Sequence, residues 1–599
     1  MKLKKEKEVS IENRNDNYKM LSRLFFRLLP YQIVMIVITA VNGIVDGLFA
    51  SNAVGTAAMS AMGLYTPIPH FLYAMSMIMV SGAQLLYGKY VVKEHDHIHS
   101  IFTVDLVLAG VISLIVGVLM AVGGAVCIGG GSLDPEAQAM FSRYLISNAI
   151  GIPPLILGQQ LFAFLSLENR TTLTTAASIA CLVTNALGDL LLTVAVPLDL
   201  LGLGLASAIS CWVFFLVQLQ YFVKGRSNVK FSLHSSKWRD APQIIARGYP
   251  GGISRFLEMF RCIIVNALIL RFVGAVGLSA FSASNSFLGI IWALPFGMAA
   301  VTRMLLSIAV GEEDRRSLID TVRVPLRRGL ALMIAVAACI IICAEPLTRM
   351  FYRDPSAPVY SMTVWGFRIL PLCMPLSVIA LTFSCYAQAA EKKLLSVVLP
   401  VIDGFVGVTG CSLILIPLLK MNGLYISNVL NGVICLLLIY GFAWKWNKHR
   451  PKDLEELMMI PDDFGPDTSD RIDISVRTMD DVVKVSEQVL AFCKEHGVDE
   501  RRAYHSALAL EEIAGNVVEH GFTKDRRKNH SAEIRVIRRD DDVILRVRDD
   551  CVPFDPTLTY GAYEEDDPAK NMGIRLIFIT SKDVVYQNLL GCNVLTVTI

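Results

Sequence analysis

The chain of 599 residues changes character at about Arg450, and this change limits its fold more than any other feature. Residues 24 to 447 are apolar runs separated by short loops, whereas the residues after 450 have the mixed composition of a soluble domain. Only 18% of the chain is charged, against roughly a quarter in an average soluble protein. The pattern therefore predicts a membrane-embedded part followed by a separate polar domain.

Twelve apolar runs are long enough to cross a bilayer, which takes ~20 residues per helix. They begin near Leu24, Ala57, Ile101, Ala137, Thr172, Leu203, Gln243, Gly277, Leu330, Met362, Leu394 and Gly423. Lys and Arg concentrate in alternate loops, so the positive-inside rule predicts a multi-pass protein of the plasma membrane with both termini in the cytoplasm. The basic N-terminus leads into polar residues, as expected for a cytoplasmic segment and not for a signal peptide.

A repeat divides the apolar part into two halves. The segment VGTAAMSA at 54–61 recurs as VGAVGLSA at 273–280, and a Gly-Leu pair at 204–205 recurs at the same offset at 423–424. We therefore predict an all-α polytopic bundle of two six-helix lobes, 21–230 and 231–450, after a lead-in at 1–20. Paired lobes are typical of alternating-access carriers that bind substrate between them.

Ionisable side chains at bilayer depth are costly and usually functional. Asp46 lies late in span one, and Asn185 and Asp189 share one face of span five because of their i,i+4 spacing. Both spans run in the same direction, so the three side chains are expected at one depth of the first lobe. Such a cluster suits Na⁺ or a shared proton. The alternative is a structural polar network.

Glu258 is a further carboxylate, near the middle of span seven. Arg255 and Arg261 flank it at helical spacing, so a local ion pair is as compatible with the pattern as a functional role.

Three segments resemble the MATE (multidrug and toxic compound extrusion) carriers over about residues 20 to 447. They are VDGLFASNAVG in span one, the NxxxD of span five followed by GLGLASAIS, and the spacing from Pro250 to Glu258. The resemblance implies a V-shaped bundle that exports organic, often cationic, compounds in exchange for Na⁺ or H⁺. It implies that Asp46, Asn185 and Asp189 couple transport to the cation, and that Glu258 is the span-seven carboxylate. Span ten contains no aspartate, which favours the first-lobe cluster.

The tail begins after a linker at 451–470 that holds three prolines and a run of acids. Strand patterns at IDISV, SAEIRVIRR, DVILRVRDD, DVVYQN and NVLTVTI alternate with helices that start near residues 478 and 499. This order predicts an α/β sandwich over 471–599, with helices on a mixed or antiparallel sheet.

Four tail residues have the chemistry of a nucleotide site. Glu512 and Asn516 share a helix face, where a carboxylate can act as a base and an amide oxygen can bind Mg²⁺. Asp549 ends a strand and can accept a hydrogen bond from an exocyclic amine. Gly573 opens a helix whose N-terminal amides favour phosphate.

Three motifs in this order resemble the GHKL ATPase fold, most closely the anti-sigma factor serine kinases. They are EEIAGNVVEHG, RDD followed by PFDP, and NMGIRLI. The resemblance implies Glu512 as catalytic base, Asn516 as Mg²⁺ ligand and Asp549 as adenine reader, with ATP and Mg²⁺ as cofactors. Cys551 and Asn571 replace glycines of these motifs, and the lost backbone freedom predicts weakened affinity for ATP.

Two functions are consistent with these features. The first is an antiporter of small organic compounds whose tail is an ATP-binding regulatory or kinase-like domain. The alternative is a membrane ligand sensor whose tail phosphorylates a serine of an anti-anti-sigma-like protein. An ATP-driven pump is disfavoured because the chain has no G-x-x-x-x-G-K-[ST] loop. A net charge of +2 implies no nucleic-acid partner.

Overall fold

A computed structural model describes the chain from residue 17 to residue 599, with gaps. The described residues are 17–34, 36–38, 41, 46, 65, 67–90, 97–126, 135–196, 198–234, 236–352, 354–462, 464–465, 468–524, 532–539, 542–557, 572–589 and 592–599. The repeat segment at 54–61, Asn571 and the side chain of Arg255 lie outside this description.

The membrane part is helical, as predicted. Within the described residues, ten helices are long and apolar enough to cross a bilayer, and a pair bent by 44° forms an eleventh span. The seventh predicted span is the 33-residue helix Asp240–Phe272, which carries more polar residues than the others. The ten helices are Asn17–Ile38, Ile68–Tyr90, His97–Gly124, Thr171–Ala195, Asp199–Val223, Val276–Gly311, Arg315–Ile342, Pro358–Ala389, Lys393–Leu419 and Met421–Asn447; the bent pair is Gln138–Ala149 with Ile152–Leu167.

The first lobe (spans one to six) meets the second (spans seven to twelve) most closely where span two packs against span seven. A Cβ added to Gly248 would lie 1.7 Å from the carbonyl oxygen of Ile78, and one added to Gly82 would lie 1.9 Å from that of Ile244. Only glycine allows this backbone approach. The contact lies in the half of the bundle that carries the tail, so the lobes are closed against each other on the tail side.

The fifth helix of each lobe contains a π-helical turn. In the first lobe Leu190–Ala195 continues the α-helix Thr171–Asp189, and in the second lobe Ile402–Val406 separates Lys393–Val401 from Gly407–Leu419. Such turns shift the direction of the following side chains and are frequent at functional sites.

The linker packs against the membrane part. It forms a five-residue helix, Leu454–Met458, and the side chains of Met458, Met459 and Ile460 are buried among the ends of the spans. Arg315, at the start of span nine, donates a 2.6 Å hydrogen bond to Glu455. The join between the two parts is therefore an ordered contact.

The tail is an α/β sandwich whose sheet is antiparallel throughout, with the strand order β1-β2-β3-β5-β4. The strands are β1 Arg471–Val476, β2 Ala532–Arg539, β3 Asp542–Asp549, β4 Asp583–Leu589 and β5 Cys592–Thr598. Three helices accompany the sheet: Met479–Glu495, Glu500–Asn516 and Met572–Thr580.

The two faces of this sheet differ because side chains alternate along a strand. The helix-facing side is apolar and includes Ile534, Val536, Leu545, Val547 and Val597. The opposite side of β2 and β3 carries Glu533, Arg535, Arg546 and Arg548. This second face, which we call the outer face, lies against the membrane part.

Candidate functional sites

The first-lobe cluster predicted from sequence is assembled in the structure. Ser207 donates a 3.3 Å hydrogen bond to Asp46 Oδ2, and Asn185 Nδ2 lies 3.4 Å from the same Ser207 hydroxyl. The carboxyl of Asp189 is within hydrogen-bonding reach of that of Asp46. Ser207, from span six, was not predicted as a site residue, although it lies in the GLGLASAIS segment.

Several oxygens of this cluster have no donor. Asp46 Oδ1, Asn185 Oδ1 and both carboxyl oxygens of Asp189 are buried and accept no hydrogen bond within the part of the chain described. Asp189 is completely buried, and no ion pair with a described basic residue balances either carboxyl. Buried acceptors of this kind require a proton or a cation. Two carboxyls, an amide and a hydroxyl are the oxygen donors that hard cations prefer.

Asp189 is the last residue of its α-helix, directly before the π-turn. The Thr193 hydroxyl donates to the Asp189 carbonyl oxygen within that turn. A side-chain hydrogen bond therefore stabilises the wider turn at the residue that carries the second carboxyl of the cluster.

A second acidic cluster lies in the second lobe. Arg261 Nη2 donates to Glu258 Oε1 at 3.0 Å, and Arg261 Nη1 lies 3.4 Å from the backbone carbonyl of Asp403. Asn431 Nδ2 donates to Asp403 Oδ1 at 2.9 Å, and the thiol of Cys435 lies 3.8 Å from the same oxygen. The structure thus shows the local ion pair that the spacing of Glu258 allowed.

Asp403 is a site residue that the sequence analysis missed. It stands within an apolar run of span eleven, inside the π-turn Ile402–Val406, so an aspartate at membrane depth was the available signal. From the sequence we considered Glu258 of span seven and the lack of aspartate in span ten, but not span eleven.

The two clusters occupy corresponding helices, the first, fifth and sixth of each lobe. Each holds two carboxyls, but only the second-lobe cluster contains a basic side chain, Arg261, among the residues that the structure describes. Its guanidinium is a tethered positive charge beside the carboxyl of Glu258 and the backbone carbonyl of Asp403. The first-lobe cluster is therefore the better candidate for reversible cation binding.

In the tail, the predicted base lies against the helix predicted to bind phosphate. A Cβ added to Gly573 would lie 1.9 Å from Glu512 Oε2, so the carboxylate contacts the first turn of the Met572–Thr580 helix directly. Asn516 ends the helix that carries Glu512 and is followed by the π-turn Val517–Gly521. Glu512 and Gly573 thus meet where the two helices touch, and the roles of Glu512, Asn516 and Gly573 in a nucleotide site stay predictions.

Hydrogen bonds from Cys551 and Asn593 hold the carboxyl of Asp549 in place. Its Oδ1 accepts from the Cys551 amide at 2.9 Å and from Asn593 Nδ2 at 2.8 Å. Tyr586 and Asn588 each donate to Asn593 Oδ1 at 2.8 Å and hold that amide in place. The Cys551 side chain also hydrogen-bonds to this carboxyl, so the segment after β3 and the last strand both hold Asp549 in place.

The surroundings of Asp549 raise the pKa of its carboxyl. Burial is the main cause, and the hydrogen bond from Asn593 opposes it. Asn593 itself was not predicted, because it reads as an ordinary polar residue of the last strand. A buried carboxyl that neighbouring hydrogen bonds hold in place fits the role of adenine reader in an ATP site.

Cys551, one of the two glycine replacements, is buried against the end of the EEIAGNVVEHG motif. Its Sγ lies 3.5 Å from the position that a Cβ on Gly521 would take. The side chain therefore fills space beside the EHG segment. The weaker affinity for ATP expected from the replacement of glycine by Cys551 stays a prediction.

Together, the fold and the sites define a polytopic membrane protein of two similar lobes joined to an ATPase-like sandwich. The sequence model of the MatE family matches residues 32–191 and 250–411, more than half of the chain, and the chain belongs to that family. Residues 476–599 match the model of the histidine kinase-like ATPase domain.

Curated relatives resemble the membrane part. A probable multidrug resistance protein NorM of Halalkalibacterium halodurans is 25% identical over 345 residues, which are 55% of this chain and 73% of that protein. A probable multidrug resistance protein NorM of Aromatoleum aromaticum is 23% identical over 239 residues, 38% of this chain and 50% of the relative. The alignment therefore spans half of one relative and about three quarters of the other.

Solved structures share the fold of the membrane part. An outward-facing multidrug resistance MATE family transporter of the MOP superfamily superposes with a TM-score of 0.66 at 18% identity, over 74% of this chain and 97% of that one. A MOP superfamily transporter from Pyrococcus furiosus gives 0.64 at 18% identity, over 70% and 95%. At this level of identity the likeness establishes the fold alone.

Proposed function

We propose that the protein is a secondary active exporter of small organic, including cationic, compounds, driven by antiport of Na⁺ or H⁺. The buried pair Asp46–Asp189 carries this proposal, because its oxygens lack donors and no described basic residue balances it. Membership of the MatE family and the names of the relatives support a role in export. The positive-inside pattern supports a plasma-membrane location with both termini in the cytoplasm.

In this mechanism a cation or proton binds between Asp46 and Asp189, with Asn185 and Ser207 supplying further polar groups. Its charge removes the repulsion between the two carboxylates and lets spans one, five and six pack more closely. Substrate binds between the lobes, and rocking of one lobe against the other moves it across the membrane. The cation then leaves on the cytoplasmic side, opposite to the side where substrate is released, and this resets the cycle.

The tail acts as a cytoplasmic domain that binds ATP and Mg²⁺. Asp549 would read the base, Asn516 would hold the metal ion, Gly573 would begin the phosphate-binding helix and Glu512 would orient the attacking group. Bound Mg²⁺–ATP would supply a phosphoryl group, which makes the tail a serine kinase of the anti-sigma type or a regulator of the carrier. An anti-anti-sigma-like protein is the substrate expected for the kinase.

One observation favours the sensor as a second candidate. The outer face of the tail forms buried ion pairs with the membrane part, such as Arg535–Asp314 at 2.7 Å. A ligand that moves the lobes would therefore also move the tail.

Dye efflux from vesicles with an imposed Na⁺ or proton gradient tests the transport proposal. We expect Asp46→Asn and Asp189→Asn each to abolish gradient-driven efflux, because either change leaves one carboxylate for the cation. Asp199→Asn, at the exposed start of span six, is the matched control and should transport normally. Efflux at the native rate in both cluster variants would rule out this coupling site and favour the sensor.

A further inference from the structure

The outer face of the tail contacts both lobes of the carrier. On the second lobe, Arg535 pairs with Asp314 at 2.7 Å and Arg548 pairs with Glu312, in the loop between spans eight and nine. The carboxyls of Asp314 and Glu312 are only 4% and 1% exposed. On the first lobe, Asp550 approaches Arg23 of span one at 3.8 Å.

Apolar contacts continue the same surface. Cys592 and Val594 of β5 line a small cavity together with Met20, Leu21 and Leu24 of span one. The tail therefore rests on span one through β5 and on the loop between spans eight and nine through β2 and β3.

The lobes also bond to each other beneath the tail. Asn17 of span one donates to Asp320 of span nine at 3.0 Å, and Arg328 donates to Ser22 at 2.7 Å. Together with the glycine contacts of spans two and seven, these bonds close the bundle on the tail side. Rocking must separate the lobes on this side in the other half of the transport cycle.

We infer that the tail docks across the seam between the lobes and holds the carrier closed on the tail side, and that occupancy of its nucleotide site controls this docking. The effect of docking on transport rests on the proposed function. The docking surface itself is a contact between two parts of one chain.

The link to the nucleotide site is the end of β3. Side chains alternate along a strand. Arg548 and Asp550 therefore point to the lobes, while Asp549 between them points to the helices and the base pocket. A nucleotide that binds Asp549 and shifts its backbone would also shift Arg548 and Asp550. These two neighbouring residues carry the contacts to the second and the first lobe.

Hydrogen exchange on the full chain in lipid nanodiscs tests the docking. We expect Arg548→Glu to increase exchange at residues 311–317 and 532–549 by roughly an order of magnitude, because a buried pair becomes a repulsion. Combining it with Glu312→Arg should restore protection. Lys582→Glu, which disrupts an exposed pair with Asp542 inside the tail, is the control and should leave these segments protected.

Unchanged exchange in Arg548→Glu would overturn the docking. If that variant does not fold, the double reversal, Arg548→Glu with Glu312→Arg, decides. Native protection from exchange in the double reversal supports the pair. Lost protection in a double reversal that still binds ATP contradicts it. Adding Mg²⁺–ATP should alter exchange at 311–317 in the native chain and not in Asp549→Ala; no response in the native chain refutes nucleotide control.

Vesicle efflux with the same variants measures the consequence. Arg548→Glu should change the efflux rate, and the double reversal should return it to the native value. If no variant transports while the exchange results follow the prediction, the docking stands and the exporter proposal fails. If the native chain transports and Arg548→Glu exchanges as predicted but transports at an unchanged rate, the tail does not control the carrier.

Discussion

At the scale of residues, the two lobes treat their buried carboxyls differently. Asp46 and Asp189 face each other without a described basic partner, whereas Arg261 pairs with the carboxyl of Glu258 and reaches the backbone carbonyl of Asp403. A guanidinium tethered to span seven cannot leave, so it neutralises charge without coupling to a gradient. The difference supports the proposal that the first-lobe cluster couples transport to the ion and that the second-lobe cluster has a structural role.

Replacing Arg261 should therefore lower the free energy of unfolding and leave the ion dependence of transport largely unchanged. Arg261→Gln removes the ion pair between Arg261 and Glu258, and we expect a loss of about 1–2 kcal/mol of stability, since the side chains are partly exposed. Thermal unfolding in detergent measures it, and adding Glu258→Gln should recover most of the loss. Arg368→Gln, which breaks an exposed 3.0 Å pair with Glu345, is the matched control. Equal stability of Arg261→Gln and the native chain would contradict this role.

Asn593 should matter to ATP because it fixes the orientation of Asp549. In Asn593→Ala the carboxyl of Asp549 loses one of its two Oδ1 bonds, and we expect affinity for Mg²⁺–ATP to fall by roughly tenfold, or about 1.4 kcal/mol. Asp549→Ala should weaken binding further. Titration of the full chain with a fluorescent ATP analogue measures both. Thr598→Ala, at the far end of the same strand, should bind normally; native affinity in Asn593→Ala would dismiss the positioning role.

At the scale of elements, hydropathy and alternation predicted most of the structure. All twelve predicted spans have helical counterparts among the described residues, and the five strand patterns form one sheet. The π-turns at Leu190–Ala195 and Ile402–Val406 were not predictable, because an α-turn and a π-turn share the same apolar composition. The all-antiparallel sheet was one of two arrangements that the strand order left open.

The strand β2 places a carboxyl, Glu533, on the outer face, where docking buries it. Burial raises the pKa of Glu533 to about 7 from its usual 4.5; Arg548, Arg316 and Arg535 lower it, and Asp314 raises it. Docking thus takes up a proton, so this contribution is fully present below about pH 4.5 and is lost as pH rises through 7.

We therefore expect docking to weaken between about pH 6 and pH 8, seen as a falling unfolding temperature of the tail. Glu533→Gln should flatten that dependence, whereas Glu519→Gln, on the exposed π-turn, should not. A native chain with a flat profile over this range would refute the linkage.

At the scale of the whole molecule, the sequence identified the two parts but not their contact. Arg535, Arg546 and Arg548 alternate with apolar residues along β2 and β3, which is also the pattern of a solvent-facing strand. Glu312 and Asp314 look like ordinary loop acids. Burial of these charges depends on how two separately folded parts meet, and no local pattern encodes that meeting.

The linker shows the same limit. Its prolines and acids predicted a connector, yet Met458, Met459 and Ile460 are buried in the membrane part. A truncation that separates the tail from the carrier should therefore end after residue 470 and keep this segment.

Dye efflux from vesicles tests ion coupling and the role of the tail most directly. The vesicles are prepared so that added ATP reaches the side of the membrane that carries the tail. Efflux is measured with an ion gradient alone, with Mg²⁺–ATP alone, and with both. We predict efflux with the gradient alone and none with ATP alone. ATP should change the efflux rate of the full chain but not that of a chain ending at residue 470. Efflux driven by ATP without a gradient, or efflux in Asp189→Asn equal to that of the native chain, would contradict the proposed ion coupling.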